Sequence, residues 1–145
     1  MELGTQVKAA PLGVRVLAAV LDSIVVFLSW LCIIKLWGDE GLDGGKVLTG
    51  IPAVLLMLAT AAFWIFPEWL LGSTMGKWAC DLKVTTLNGM SISFVQSLKR
   101  NVLRLLDFFP FYLPGFVTAS LTPNRQRLGD LWAKTIVVPK KAAKQ

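Results

Sequence analysis

The stretch GSTMGK, Gly72 to Lys77, decides between two kinds of protein. Read as a phosphate-binding loop, it would make the chain a nucleotide enzyme. Read as the end of a membrane helix, it makes the chain a membrane protein. A phosphate loop needs four residues between its first glycine and the Gly-Lys pair, then Ser or Thr, so that backbone N–H groups cradle the phosphates. Here three residues separate Gly72 from Gly76, and Trp78 follows Lys77. The preceding segment is a long apolar run with none of the marks of a strand. The same letters contain GxxxG, which packs apolar helices closely, but this motif starts where the apolar run stops. Gly72 as a helix stop and Lys77 at the membrane boundary is the reading that fits.

Working outward, Ile51–Leu71 is the apolar run before the loop, and Val16–Trp37 is an earlier one. Each is about 20 residues, or about 30 Å as helix, the thickness of a bilayer core. In lipid the backbone must satisfy its own hydrogen bonds, so helices are expected over about 14–37 and about 51–71. Pro52 suits a helix start, and Pro67 is expected to kink the end. Composition agrees: 54% of residues are hydrophobic and 17% charged, against about 45–50% and about 25% in soluble domains.

The link GDEGLDGGK is acidic and glycine-rich. It lacks the spacing and terminal glutamate of a calcium loop, so a solvated turn is expected. The third region, 94–121, begins amphipathic and ends apolar, with Pro110 and Pro114 breaking it. Asn88-Gly89 between β-prone runs predicts a hairpin over about 82–93. KTIVV, in the basic tail 122–145, is another strand candidate, able to pair with 82–92.

Positive residues favour the cytoplasmic side. Loop 38–47 is net acidic, whereas loop 72–99 and the tail are basic. Both termini are therefore expected in the cytoplasm, and the broken third segment is expected to re-enter, with a full crossing as the alternative. The fold class is an all-α membrane protein: two transmembrane helices, a Pro-broken third helical segment, and a small cytoplasmic β-hairpin or strand, as one domain over 1–145.

Ionisable side chains in membrane segments are costly and mark candidate sites. Arg15 and Asp22 lie seven residues apart on one stripe of the first helix, where a water or a third residue could bridge them. Glu68 ends the second helix. Arg100, Arg104 and Asp107 share one face of the third. Three cations (Arg15, Arg100, Arg104) and three anions (Asp22, Glu68, Asp107) are expected to form a mutually paired cluster. It either staples the helices together or lines an ion or proton path; the third reading is that the groups snorkel to the surface without sharing a cluster. A carboxylate as deep as Asp22 is discharged by a proton or by an arginine partner, which makes it the expected switch of any transport.

Several classes are set aside. There is no histidine, and no catalytic nucleophile–base pair, metal constellation or cofactor motif emerges. Catalytic, cofactor and metal residues are therefore expected to be none. Cys32 and Cys80 form no CxxC pair and read as inert thiols. The net charge of +6 flanks apolar runs rather than forming a nucleic-acid groove, so anionic lipid is the expected partner. No cleavable signal is expected at the N-terminus.

LGVRVLAAVLDSIVV, the long stretch from Pro67 to Asp107, and NRQRLGDLWAKTIVV together resemble the RDD family of small multi-spanning membrane proteins, over roughly residues 10–139. The resemblance assigns Arg15, Asp22 and Asp130 to the family's arginine and two aspartates. It makes Gly72, Thr74, Gly76 and Lys77 a family landmark loop. It implies a polytopic membrane protein associated with transport of an undefined ligand and carries no catalytic reaction; the location expected for this chain is the inner membrane. For Asp130, structural anchoring by pairing with Arg125, Arg127 or Arg15 stands beside a ligand role.

The expected function is that of a small transporter, or an ion- or proton-coupled membrane protein, acting as an oligomer because two or three segments cannot enclose a path. A monovalent cation or proton is the candidate ligand. The alternative is an accessory or assembly subunit of a larger membrane complex. Six Trp and eight Phe suit interfacial anchoring and partner contact alike.

Overall fold

The structure is a computed structural model that describes residues 8–42, 44–107 and 113–144; of 105–107, 113–116, 143 and 144 it describes the backbone alone. Two long apolar helices dominate it. α1 spans Leu12–Trp37 and α2 spans Gly50–Leu71. Both are long and apolar enough to cross a membrane, and only 11% of each apolar window is buried in the chain. A helix from a soluble core would be mostly buried, so these surfaces are built for lipid or for a membrane partner.

The helices are joined by a short antiparallel ribbon, β1 (Asp39–Glu40) with β2 (Lys46–Val47). α2 continues through Pro67 and stops where Gly72 takes a left-handed backbone, φ 69°. The Gly72 N–H donates to the Glu68 carbonyl at 2.9 Å, closing the last turn.

The described residues after Leu71 gather at the α2 C-terminal end of the hairpin, which is also the α1 N-terminal end. α3 (Met75–Ala79) rests on α1, α4 (Phe94–Asp107) on α2, and α6 (Leu128–Ala133) on α4. α5 (Leu113–Leu121) links α4 to α6. The FPFYL break at 108–112 lies outside the described residues.

The expected hairpin over 82–93 is corrected. β3 (Leu82–Thr86) pairs antiparallel with β4 (Thr135–Pro139), from Leu82 opposite Pro139 to Thr86 opposite Thr135. Asn88-Gly89 does turn the chain, with the Thr86 N–H donating to the Met90 carbonyl at 2.9 Å. The residues after it lead into α4 instead of returning as a strand. β4 is the better partner physically: Ile136, Val137 and Val138 are buried, whereas Met90 and Ser91 are polar or exposed. A small core of Ala10, Ala18, Leu82, Val84, Ile92 and Val137 forms under this sheet, with Cys80 packed against it. The Ala10 N–H donates to the Val137 carbonyl, so both ends of the described chain lie at the same end of the hairpin. The tail is thus part of the folded layer.

Candidate functional site: a buried charge circuit

Buried ionic groups collect where the layer meets the hairpin. Among the described residues the buried cations are Arg15, Lys77, Arg100 and Arg104, and the buried carboxylates are Asp22, Glu68 and Asp130. Leaving such groups uncompensated out of water costs several kcal/mol each, so their partners decide whether the fold exists.

Asp22 meets α3. Thr74 Oγ1 donates to Asp22 Oδ2 at 2.5 Å, and the Gly76 N–H donates to Oδ1 at 2.7 Å. The carboxylate of one helix thereby satisfies an otherwise unpaired N–H in the first turn of another. The approach demands glycine, because a Cβ at Gly76 would collide with the Ala18 carbonyl oxygen and reach within 3.0 Å of Asp22. GSTMGK is therefore a docking loop: Gly72 stops α2, Thr74 and Gly76 hold Asp22, and Gly76 lets the backbones touch.

Lys77 then turns back toward α2. Its Nζ contacts Glu68 Oε1, and the side chain is buried within the chain. The reversal at Gly72 returns the lysine to Glu68. Burial pushes the pKa of Lys77 well below the ordinary lysine value; Arg100, Arg104 and Arg127 add to this and Asp22 opposes it.

Glu68 Oε2 accepts from Arg100 Nε at 3.1 Å and from Asn101 Nδ2 at 3.2 Å. Arg100 reaches on with Nη1, to Asp130 Oδ1 and to Thr135 Oγ1, both at 2.7 Å. Asp130 Oδ2 lies 2.7 Å from Arg15 Nη2 and accepts from the Arg127 N–H at 3.2 Å. Arg15 also donates to the Arg125 carbonyl. The chain of contacts closes on itself: Asp22, α3, Lys77, Glu68, Arg100, Asp130, Arg15. It leaves α1 at one residue and returns to it seven residues away.

Arg104 lies over the Trp64 ring, 4.8 Å from its centroid. Ser97 Oγ donates to the Ile65 carbonyl at 2.8 Å, a further bond between α4 and α2. Between these groups is a cavity of about 10 Å³, lined by Glu68, Asp130, Asn101 and the arginines 100, 104 and 127, which is room for about one water. For Asp130, burial alone would raise the pKa, but Arg100, then Arg15 and Arg127, outweigh it and hold the carboxyl well below the usual range. Burial lowers Arg100, with Asp130 opposing.

The residues picked from sequence fall as follows. Arg15 and Asp130 are in contact. Glu68 and Arg100 are in contact. Asp22 and Arg15 take separate partners rather than sharing a bridge. The Asp107 side chain lies outside the described residues. Sequence reasoning named Arg127 as a partner of Asp130, which its N–H is, but missed Asn101 and Thr135. Asn101 was findable, because Ser97, Arg100, Asn101 and Arg104 follow the i, i+3, i+4, i+7 rule of one helical face. No group of three or more His, Cys, Asp or Glu able to hold a metal exists among the described residues.

Two exposed apolar helices capped at one end by a network of buried ion pairs and hydrogen bonds define a polytopic membrane protein. The RDD family model matches residues 9–134, and the chain belongs to the RDD family. Searches of curated proteins and of solved structures returned no match.

Proposed function

We propose that this RDD protein is a small ion- or proton-coupled transporter that works as an oligomer and has no catalytic chemistry of its own. The observation that carries this reading is Asp22. It is the one charged residue (Asp, Glu, Lys or Arg) of α1 between Arg15 and Lys35, it is buried, and it is held by α3 and its N-cap Thr74 through two hydrogen bonds. A proton or monovalent cation taken up by that carboxylate competes directly with Thr74 and Gly76. α3 then loosens from α1, and Lys77 shifts against Glu68. Binding at one carboxylate is in this way coupled to movement of the layer. One chain contains no Asp, Glu, Lys or Arg in the far half of either helix apart from Lys35, so a path across the bilayer requires several copies.

In this reading both termini face the cytoplasm of an inner-membrane protein, the layer sits at the cytoplasmic side of the bilayer, and the third segment re-enters without crossing. The basic loop 72–99 and tail favour that orientation. The test is proton and monovalent-cation flux in proteoliposomes. Wild type moves the ion and Asp22→Asn does not; equal flux in the two would end the proposal.

A second reading, an accessory subunit of a larger complex, draws on the exposed faces of α1 and α2, where Phe27, Leu28, Leu55 and Leu58 point away from the chain. Cross-linking in native membranes separates the readings. A discrete homo-oligomer supports transport, and cross-links to a different protein alone support assembly.

A further inference from the structure

α4 is inside out. Its buried face is Ser97, Arg100, Asn101 and Arg104. Its exposed face is apolar: Val95 is 56% exposed, Leu98 37% and Val102 46%. A helix on a soluble surface shows the opposite pattern. α6 repeats the inversion, burying Gly129, Asp130 and Ala133 while exposing Leu128, Leu131 and Trp132. α4 and α6 approach closely, since a Cβ at Gly129 would lie 2.7 Å from the Arg100 carbonyl oxygen. Their outward side chains therefore belong to one surface.

We propose that this α4–α6 surface is in contact with lipid, with the layer sunk into one leaflet rather than standing in water beside the membrane. Three observations select lipid as the occupant. First, the surface is continuous with that of a spanning helix: Phe94 of α4 lies 5.3 Å from Trp69 and 6.2 Å from Phe66 of α2, ring to ring, and all three are exposed. Second, Ser97, Arg100, Asn101 and Arg104 of α4 and Asp130 of α6 are turned inward. There Arg100, Asn101 and Asp130 pair within the charge circuit, Ser97 bonds the Ile65 carbonyl and Arg104 lies over Trp64. That is how a charged helix survives in hydrocarbon, and it is unnecessary in water. Third, Lys99 at the edge of the surface sits 5.4 Å over the Trp132 ring, a lysine–tryptophan pairing suited to headgroup level. An exposed apolar surface continuous over two helices would be an aggregation hazard in water.

The test is site-directed spin labelling of the full chain in proteoliposomes, with Cys32 and Cys80 replaced by alanine. Nitroxides are placed singly at Val95→Cys, Leu98→Cys and Val102→Cys. Phe27→Cys serves as the lipid reference and Leu42→Cys as the water reference. Lipid contact gives collision rates with oxygen above those with a water-soluble nickel chelate, as at position 27. Nickel collisions matching position 42 would overturn the proposal. So would low rates with both reagents, which would mean that a second copy or another protein covers the face. A measurement on wild-type protein guards against damage from the substitutions: a lipid carrying a photoactivated carbene at mid-chain is expected to label peptides from 94–104. Labelling confined to α1 and α2 would contradict the inference. Neither experiment reads transport, so this surface and the role of Asp22 fail separately.

Discussion

The two halves of the membrane hairpin are held by different physics. In the half nearer the β1–β2 ribbon, α1 and α2 present apolar side chains outward, and Trp30 Nε1 donates to Thr60 Oγ1 at 2.8 Å between them. In the other half, Arg15, Asp22 and Glu68 tie the same helices to α3, α4 and α6. Lipid supplies no hydrophobic drive to bring two apolar helices together, so the bare half gains little from self-contact. The charged half is bound because each buried ion loses several kcal/mol without its partner. The rigid end of the molecule is therefore the polar end, the reverse of the arrangement in a soluble domain.

The largest expected effect comes from breaking the circuit at its centre. Glu68→Gln removes the counter-charge of Lys77 and Arg100 together and is expected to destabilise by about 3–5 kcal/mol in reversible unfolding from mixed micelles. Adding Lys77→Met should recover part of that loss, because it removes one of the stranded cations. A double variant as unstable as the sum of the singles would mean that the two do not interact.

Acid probes the same end. The arginines hold Asp130 below its ordinary value of about 3.9, so the unfolded chain binds this proton more readily than the folded one. The stabilisation is then present above about pH 4 and is lost as pH falls toward the folded value. Asp130→Asn should flatten the acid limb of stability against pH; an unchanged limb would place the loss elsewhere.

Gly76→Ala should loosen α3 from α1 by about 1–3 kcal/mol, since the added methyl meets backbone. The control is Gly13→Ala, where nothing lies within 4 Å and helix propensity predicts a gain of up to about 1 kcal/mol. Urea or detergent titration of the pair reads the contrast directly. The smallest effect belongs to the bare half: Thr60→Val removes the bond to Trp30 and should cost about 0.6 kcal/mol. A loss as large as that of Glu68→Gln would erase the distinction between the halves.

The chain announces part of this plainly. Twenty-residue apolar runs are unmistakable because lipid permits little besides helix, and Arg15, Asp22 and Glu68 stand out inside them because each is expensive there. Pairing of KTIVV with the strand after Asp81 was also legible from β-branched residues. Lys77 was not: the left-handed turn at Gly72 carries it back to Glu68, and spacing along one helix does not record such a reversal. Asn88-Gly89 misled for a related reason. The local signal for a turn is real, but the choice of strand partner is made by the buried side of β4, more than forty residues away. Asp22 and Arg15 share a stripe, as the helical period requires, yet the residues they meet come from α3 and α6.

The central claim is that ionic contacts across the sequence, rather than apolar packing between α1 and α2, lock the layer to the hairpin. The most direct test is a double-mutant cycle between Arg15 and Asp130, residues at opposite ends of the chain and 2.7 Å apart in the fold. Arg15→Met, Asp130→Asn and the double variant are unfolded reversibly in the same micelles. The account predicts a coupling energy of about 2–3 kcal/mol, near the top of the range for residues in direct contact. Coupling within about 0.5 kcal/mol of zero, the additivity of distant sites, would contradict it.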